Sequence, residues 1–333
     1  MFKAYSRAAC RRAFLAAAVS AAAATALPAA AMAADAGYPE RAVTLVLAYP
    51  PGGGVDFVGR LLARQLEAEL GQTVVVENRP GAGSIIGTNA VTRAKGDGYT
   101  LLLADPALVI NPSLMASVPY DVKRDLVPIS TVTKSPLVLA VPVTSRLRTL
   151  ADLLAAGKSG GPSLNFASAG LGTTPHMAGE LLKLRAQGNF THIPYKGSGP
   201  AMTDLISGQV DFAFATMPAT TPYIRQDRLR GLAVTGAGRS ASLPDVPTVA
   251  ETLPDFEVYF WTALFAPGKT PEPVLEKLNA AVKSALASDA MKSGLERAGE
   301  TASYMTLAET AAFVDAEAAM WKKVVSDGNI KAD

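Results

Sequence analysis

Three apolar runs in this chain end in glycines and pass straight into helix-spaced segments. "AVTLVLAYP" runs into "PGGGVDFVGRLLARQLEAEL" (Ala42–Leu70), "TVVVEN" into "RPGAGSIIGTNAVTRAK" (Thr73–Lys95), and "SLNFAS" into "AGLGTTPHMAGELLKLRA" (Ser163–Ala186). Strand followed by helix, repeated, excludes an all-helical or all-strand protein and predicts α/β layers on a mostly parallel sheet. In the first helix Val58, Leu61, Leu62, Leu66 and Leu70 share one face. Asp56 stands where an N-cap is expected and Gly71 where a helix stops. Further strands are read at Tyr99–Asp105, Pro136–Pro142, Thr191–Tyr195, Val210–Thr216 and Leu229–Thr235, and "GPAMTDLISG" as a helix. From about Pro271 the chain reads as mainly helical. Proline-containing stretches near Pro136 and Pro254 divide the α/β pattern into two lobes, which predicts a cleft that closes on a hinge.

The N-terminus reads differently. Lys3, Arg7, Arg11 and Arg12 precede an apolar stretch, Leu15–Leu27, and "AMA" at Ala31–Ala33. That order is an export signal, residues 1–33, with cleavage near Ala33. The apolar stretch is shorter than the roughly 20 residues of a membrane anchor. Cys10, the single cysteine, falls inside the signal, so the exported chain has no disulfide, thiolate nucleophile or cysteine-based metal site. The leader also holds four of the 31 basic residues and no acid, leaving 27 basic against 29 acidic. The slight positive balance of the whole chain therefore predicts no nucleic-acid face.

Four glycine-rich turns carry the functional expectation. "PPGGGVD" (Pro50–Asp56) can turn backbone N–H groups toward one point at a helix start, an anion site without a basic side chain. No lysine follows as in a nucleotide P-loop; the same residues also fit a plain tight turn. "ENRPGAGSIIG" (Glu77–Gly87) is a second such turn, and Asp105 at the end of the next strand gives it a faint dinucleotide likeness. Three residues between strand and glycines argue against that. "FASAGLGTTPH" offers Ser168, Thr173 and Thr174 as hydroxyls for a carboxylate, or simply as helix caps. "GSG" at Gly197–Gly199 is not a nucleophile elbow. With only His176 and His192 in the chain, neither is expected to be a catalytic base, and no metal-ligand spacing exists.

Taken in order, these motifs, with "GDGYTLLLAD", "IPYKGSGPAMTDLISGQVDF", "LRGLAVT" and "RSASLPDVPTVAET", strongly resemble the Bug family, the TctC-like receptors of tripartite tricarboxylate transporters. The resemblance spans nearly the whole exported chain. It implies a two-lobed type II periplasmic-binding fold, with residues 38–135 plus 257–333 as one lobe and 136–256 as the other. It implies a non-enzymatic, cofactor-free, periplasmic receptor for a small organic carboxylate, di- or tricarboxylate or aromatic acid, with the permease subunits as partners. The two alternatives are a ligand sensor for a membrane kinase and an exported hydrolase using a carboxylate pair.

By that likeness the binding residues fall at Tyr49, Gly52, Gly53, Gly54, Val55, Asp56 and Phe57 in the first turn. In the second they fall at Gly81, Ala82, Gly83 and Ser84, and in the hydroxyl loop at Ser168, Ala169, Thr173 and His176, with Ala215 after "VDF". Three positions depart from the family pattern by losing a polar group: Val55, Ala169 and Ala215. They predict a less polar pocket, walled by Tyr49, Phe57 and Trp261, for an acid with an apolar or aromatic body.

Overall fold

A computed structural model describes residues 37–331. The export-signal expectation lies outside them. From Arg41 onward the chain forms one compact unit containing two sheets that share a strand. The first sheet runs β2 (Val74–Asn78), β1 (Val43–Leu47), β3 (Thr100–Ala104), β9 (Tyr259–Pro267) and the first part of β4 (Leu126–Pro142). The second holds the rest of β4 between β8 (Leu229–Val234) and β7 (Phe212–Thr216), followed by β5 (Leu164–Ser168) and β6 (Phe190–Pro194). β4 pairs with β9 as far as Pro136; from Leu137 on it pairs with β7 and β8.

The sheets are less parallel than expected. β1 pairs parallel with β2 and β3, and β5 with β6 and β7, but every pairing of β4 and β9 is antiparallel. Two strand segments escape the sequence pattern, the first half of β4 and all of β9. In β4, Ser130, Thr131, Thr133 and Ser135 are polar yet fully buried. Their hydroxyls find partners across the sheet: Thr133 with Thr262, Ser130 with the Met305 carbonyl, Ser135 with the Thr301 N–H. A strand whose buried residues are half hydroxyls shows no apolar run to read.

Helices flank both sheets. α1 (Gly54–Leu70) follows β1, α2 (Ile85–Thr92) follows β2, and α3 (Ala107–Leu114) follows β3. α4 (Val122–Asp125) and α5 (Leu150–Lys158) bracket β4. α6 (Thr174–Ala186), α7 (Ser198–Ile206) and α8 (Met217–Arg225) follow β5, β6 and β7. α9 (Glu272–Ala287), α10 (Asp289–Ala298) and α11 (Leu307–Asp327) complete the chain. α1 buries Val58, Leu62 and Leu66 and ends on Gly71 in the left-handed region, as the spacing predicts. Leu61 is only half-buried, and Asp56 lies inside the first turn: the N-cap is Gly53.

Candidate functional site

Four helices begin at one point. The starts of α1 (Gly53, Gly54, Val55), α6 (Thr173, Pro175), α7 (Gly197, Ser198, Gly199) and α8 (Thr216) line a cavity of about 110 Å³ together with Tyr49, Asp105, Lys196 and Phe260. None of the four carries a side-chain cap. The leading N–H groups of a helix have no intrahelical partner, and each helix start bears a partial positive charge. Convergence of such starts on one small cavity makes a strong anion site. A fifth uncapped start, that of α2, opens with Gly81, Gly83 and Ser84 onto a neighbouring space of about 810 Å³ that shares Tyr49, Ala169 and Gly197.

The first turn is held in shape by Asp56 rather than offering it to a ligand. Its carboxylate accepts from the Gly52 N–H at 3.0 Å, from Arg60 Nε at 3.0 Å and from Asn78 Nδ2 at 2.9 Å. Burial alone would raise the Asp56 carboxyl; the hydrogen bonds from Arg60, Asn78 and Gly52 outweigh it and hold the group below its ordinary value. Asn78 also donates to the Tyr49 carbonyl, tying the second turn to the first. Phe57 points away, 38% exposed on the outer flank of α1, because one residue along a helix turns the side chain about 100°.

The hydroxyl loop divides in the same way. Ala169 and Thr173 line the cavity. Ser168 does not: its Oγ accepts from the Gly170 N–H and lies 2.6 Å from His192 Nε2, buried beneath the loop. His176 supports the loop from behind, its Nδ1 accepting from the Gly172 N–H at 3.3 Å, with its ring 4.1 Å from that of His192. Burial, and more weakly Lys183, push His176 down to about 4; burial, then His176 and Lys183, push His192 to about 3. Both imidazoles are therefore neutral fixtures, and neither lines the cavity.

Two expectations are corrected here. Ala215 is buried in β7 opposite Val138, and its neighbour Thr216 lines the cavity instead. Trp261 is core, its indole N–H donating to Glu317 at 2.8 Å; Phe260 supplies the aromatic wall. Alternate residues of a strand face opposite ways, so the register of β9 on β4 decides between the two. The lining is otherwise mainly apolar, as expected, but it includes one buried acid. Asp105, 2% exposed, is that acid, at the cavity floor, with Oδ1 accepting from the Ala107 N–H at 3.1 Å. Burial pushes its carboxyl up to about 7, with the nearby Tyr49 hydroxyl and the Ala107 N–H pulling the other way. Among the described residues, Asp105 is the one carboxylate lining either space.

Glycines let the walls meet. A Cβ on Gly54 would fall 2.7 Å from Thr216 Oγ1, and one on Gly197 2.7 Å from Pro50 Cγ. One on Gly83 would strike the Leu171 carbonyl, and one on Gly172 the Asn111 side chain. Each of these contacts joins helix starts of the first sheet to loops of the second.

The model of the "Tripartite tricarboxylate transporter family receptor" matches residues 58–330. Protein BugT of Bordetella pertussis is 40% identical over 297 residues, 88% of this chain and 91% of BugT. Among solved structures, an R. palustris protein with adipate superposes with a TM-score of 0.85 at 32% identity, covering 88% of this chain and 99% of that one. MatC from Rhodopseudomonas palustris with bound malate gives 0.82 at 31%, covering 86% and 100%. The chain belongs to the receptor family of tripartite tricarboxylate transporters, the TctC-like Bug proteins.

Proposed function

We propose that this chain is a periplasmic receptor that captures a small organic carboxylate in the cavity where α1, α6, α7 and α8 begin. The observation that carries the reading is the set of four uncapped helix starts around one small cavity. A carboxylate there accepts N–H groups from Gly54 and Val55, and closure strengthens each bond by excluding water. The solved neighbours with adipate and malate support the same ligand class. Pro136–Phe256 acts as one lobe and the flanking segments as the other. The change of partners along β4 at Pro136–Leu137 supports a hinge there, with Phe256–Tyr259 as the second crossing. The closed form is what a permease reads.

A thermal-shift screen of the protein from Ala34 against organic acids tests this. Ligand at 100-fold its dissociation constant adds about 2.7 kcal/mol, a rise of several degrees. A flat panel, with no acid released on denaturation and mass spectrometry, would overturn it.

A further inference from the structure

Asp105 is anomalous in a cavity built for anions. Its carboxylate is buried at the end of β3 and receives one hydrogen bond, from the Ala107 N–H. An ionised carboxylate has about four acceptor sites. The Tyr49 hydroxyl lies beside it but closes no well-formed hydrogen bond, and Thr216 Oγ1, on the same cavity, also has no partner among the described residues. Burial, then the charge of Asp105, push the Tyr49 phenol far up, so that hydroxyl keeps its proton. Among the described residues, the one cation lining the cavity, Lys196, is exposed.

The arrangement is therefore polar at both ends, with opposite demands. The helix starts offer N–H donors to an acid group. Asp105 offers acceptor sites and, once pH passes the value of about 7 to which burial lifts it, a negative charge; a second ionised carboxylate against it then meets like-charge repulsion in a low-dielectric space. We infer that Asp105 is the specificity-determining residue of this site: it selects acids whose other end brings an ammonium or hydroxyl donor to the cavity floor, against acids that bring a second carboxylate there. The inference rests on the carboxylate-receptor reading and narrows it. It separates this chain from a receptor that holds both ends of a dicarboxylate by amides alone.

Calorimetry at pH 8.5, where Asp105 is ionised, with four matched acids, butanoate, 4-hydroxybutanoate, 4-aminobutanoate and succinate, tests it, repeated with the corresponding three-, five- and six-carbon sets so that length is not the variable. At the best length the amino or hydroxy acid binds wild type at least tenfold tighter than the diacid. In Asp105→Asn, which keeps an acceptor for the Ala107 N–H, that ratio collapses by tenfold or more. The inference is overturned if the diacid binds tightest to wild type at every length, or if the ratio is the same in Asp105→Asn. The wild-type ranking decides even where the variant folds poorly. Binding by none of the acids would remove the carboxylate reading, and this inference with it.

Discussion

The helix starts at the cleft and those away from it are built by opposite rules. Thr149 and Thr306 cap α5 and α11 with reciprocal capping boxes, and Ser288 caps α10. At the cleft the corresponding positions are Gly53, Thr173, Gly197 and Thr216, and none has a side-chain cap. Thr173 and Thr216 could cap, yet Thr173 Oγ1 donates back to the Gly170 carbonyl and Thr216 Oγ1 faces the cavity. α9, capped by neither rule, begins with Pro271 before Glu272. A helix that caps itself is more stable by about 1 kcal/mol. Leaving four uncapped at one place keeps for a ligand the N–H groups they have, Pro175, Pro200 and Pro218 having none, so local stability is given up where binding needs it.

The comparison breaks most visibly if a cleft helix is given its own cap. Gly53 has φ −93° and ψ 177°, which any residue adopts, and a Cβ there meets only ordinary contact with Ser198. Gly53→Asp places a carboxylate on the α1 start. Calorimetry should show affinity for every acid falling by about 100-fold, while urea unfolding shows stability unchanged or raised by a few tenths of a kcal/mol. Retained affinity would mean that this helix start is not the anion site.

Asp105 sharpens it, because a resident negative charge is the exception at these helix starts. Its folded value of about 7 stands above the ordinary value near 3.9. Between those values the folded chain holds a proton that the unfolded chain has released, so stability from this group is present below pH 4 and lost as pH rises to 7. Relative to wild type, Asp105→Asn should gain stability on the order of 3 kcal/mol from pH 4 to 7, read from urea midpoints. A constant difference across that range would show that Asp105 is ionised throughout.

Much of this contrast is legible in the sequence. Triple glycine before Val55, and glycines at 81, 83, 170, 172 and 197, mark the turns directly, because Gly52, Gly81, Gly83, Gly170, Gly172 and Gly197 all take positive φ and most of them sit close against a facing segment. The capping boxes at Thr149 and Thr306 are legible too, as Thr followed three residues later by Asp or Glu. What sequence hides is which side of an element faces the cavity. Asp56 and His176 sit in the right motifs but hold loops from behind. Phe260 rather than Trp261 is fixed by strand register, a long-range property. Asp105 is visible as a strand-ending acid, yet nothing local shows that β3 ends at the floor of the cavity.

Smaller effects separate closure from donors. Gly54→Ala adds a methyl against Thr216 without touching an N–H. Affinity should fall about tenfold, with stability within about 1 kcal/mol of wild type; pairing it with Thr216→Ala should restore binding. Away from the cleft, Thr306→Ala should lower stability by about 1 kcal/mol and the melting midpoint by about 2–4 °C, with affinity unchanged. Loss of affinity in that variant would show that the two classes of helix start are not independent.

The most direct measurement is the amide spectrum of protein labelled only at its glycines, with and without a saturating acid. If the uncapped starts hold the carboxylate, Gly53, Gly54, Gly197 and Gly199 show the largest shifts, while Gly71 and Gly328, at helix ends elsewhere, stay in place. An acid that binds and leaves those four resonances unmoved would contradict the account.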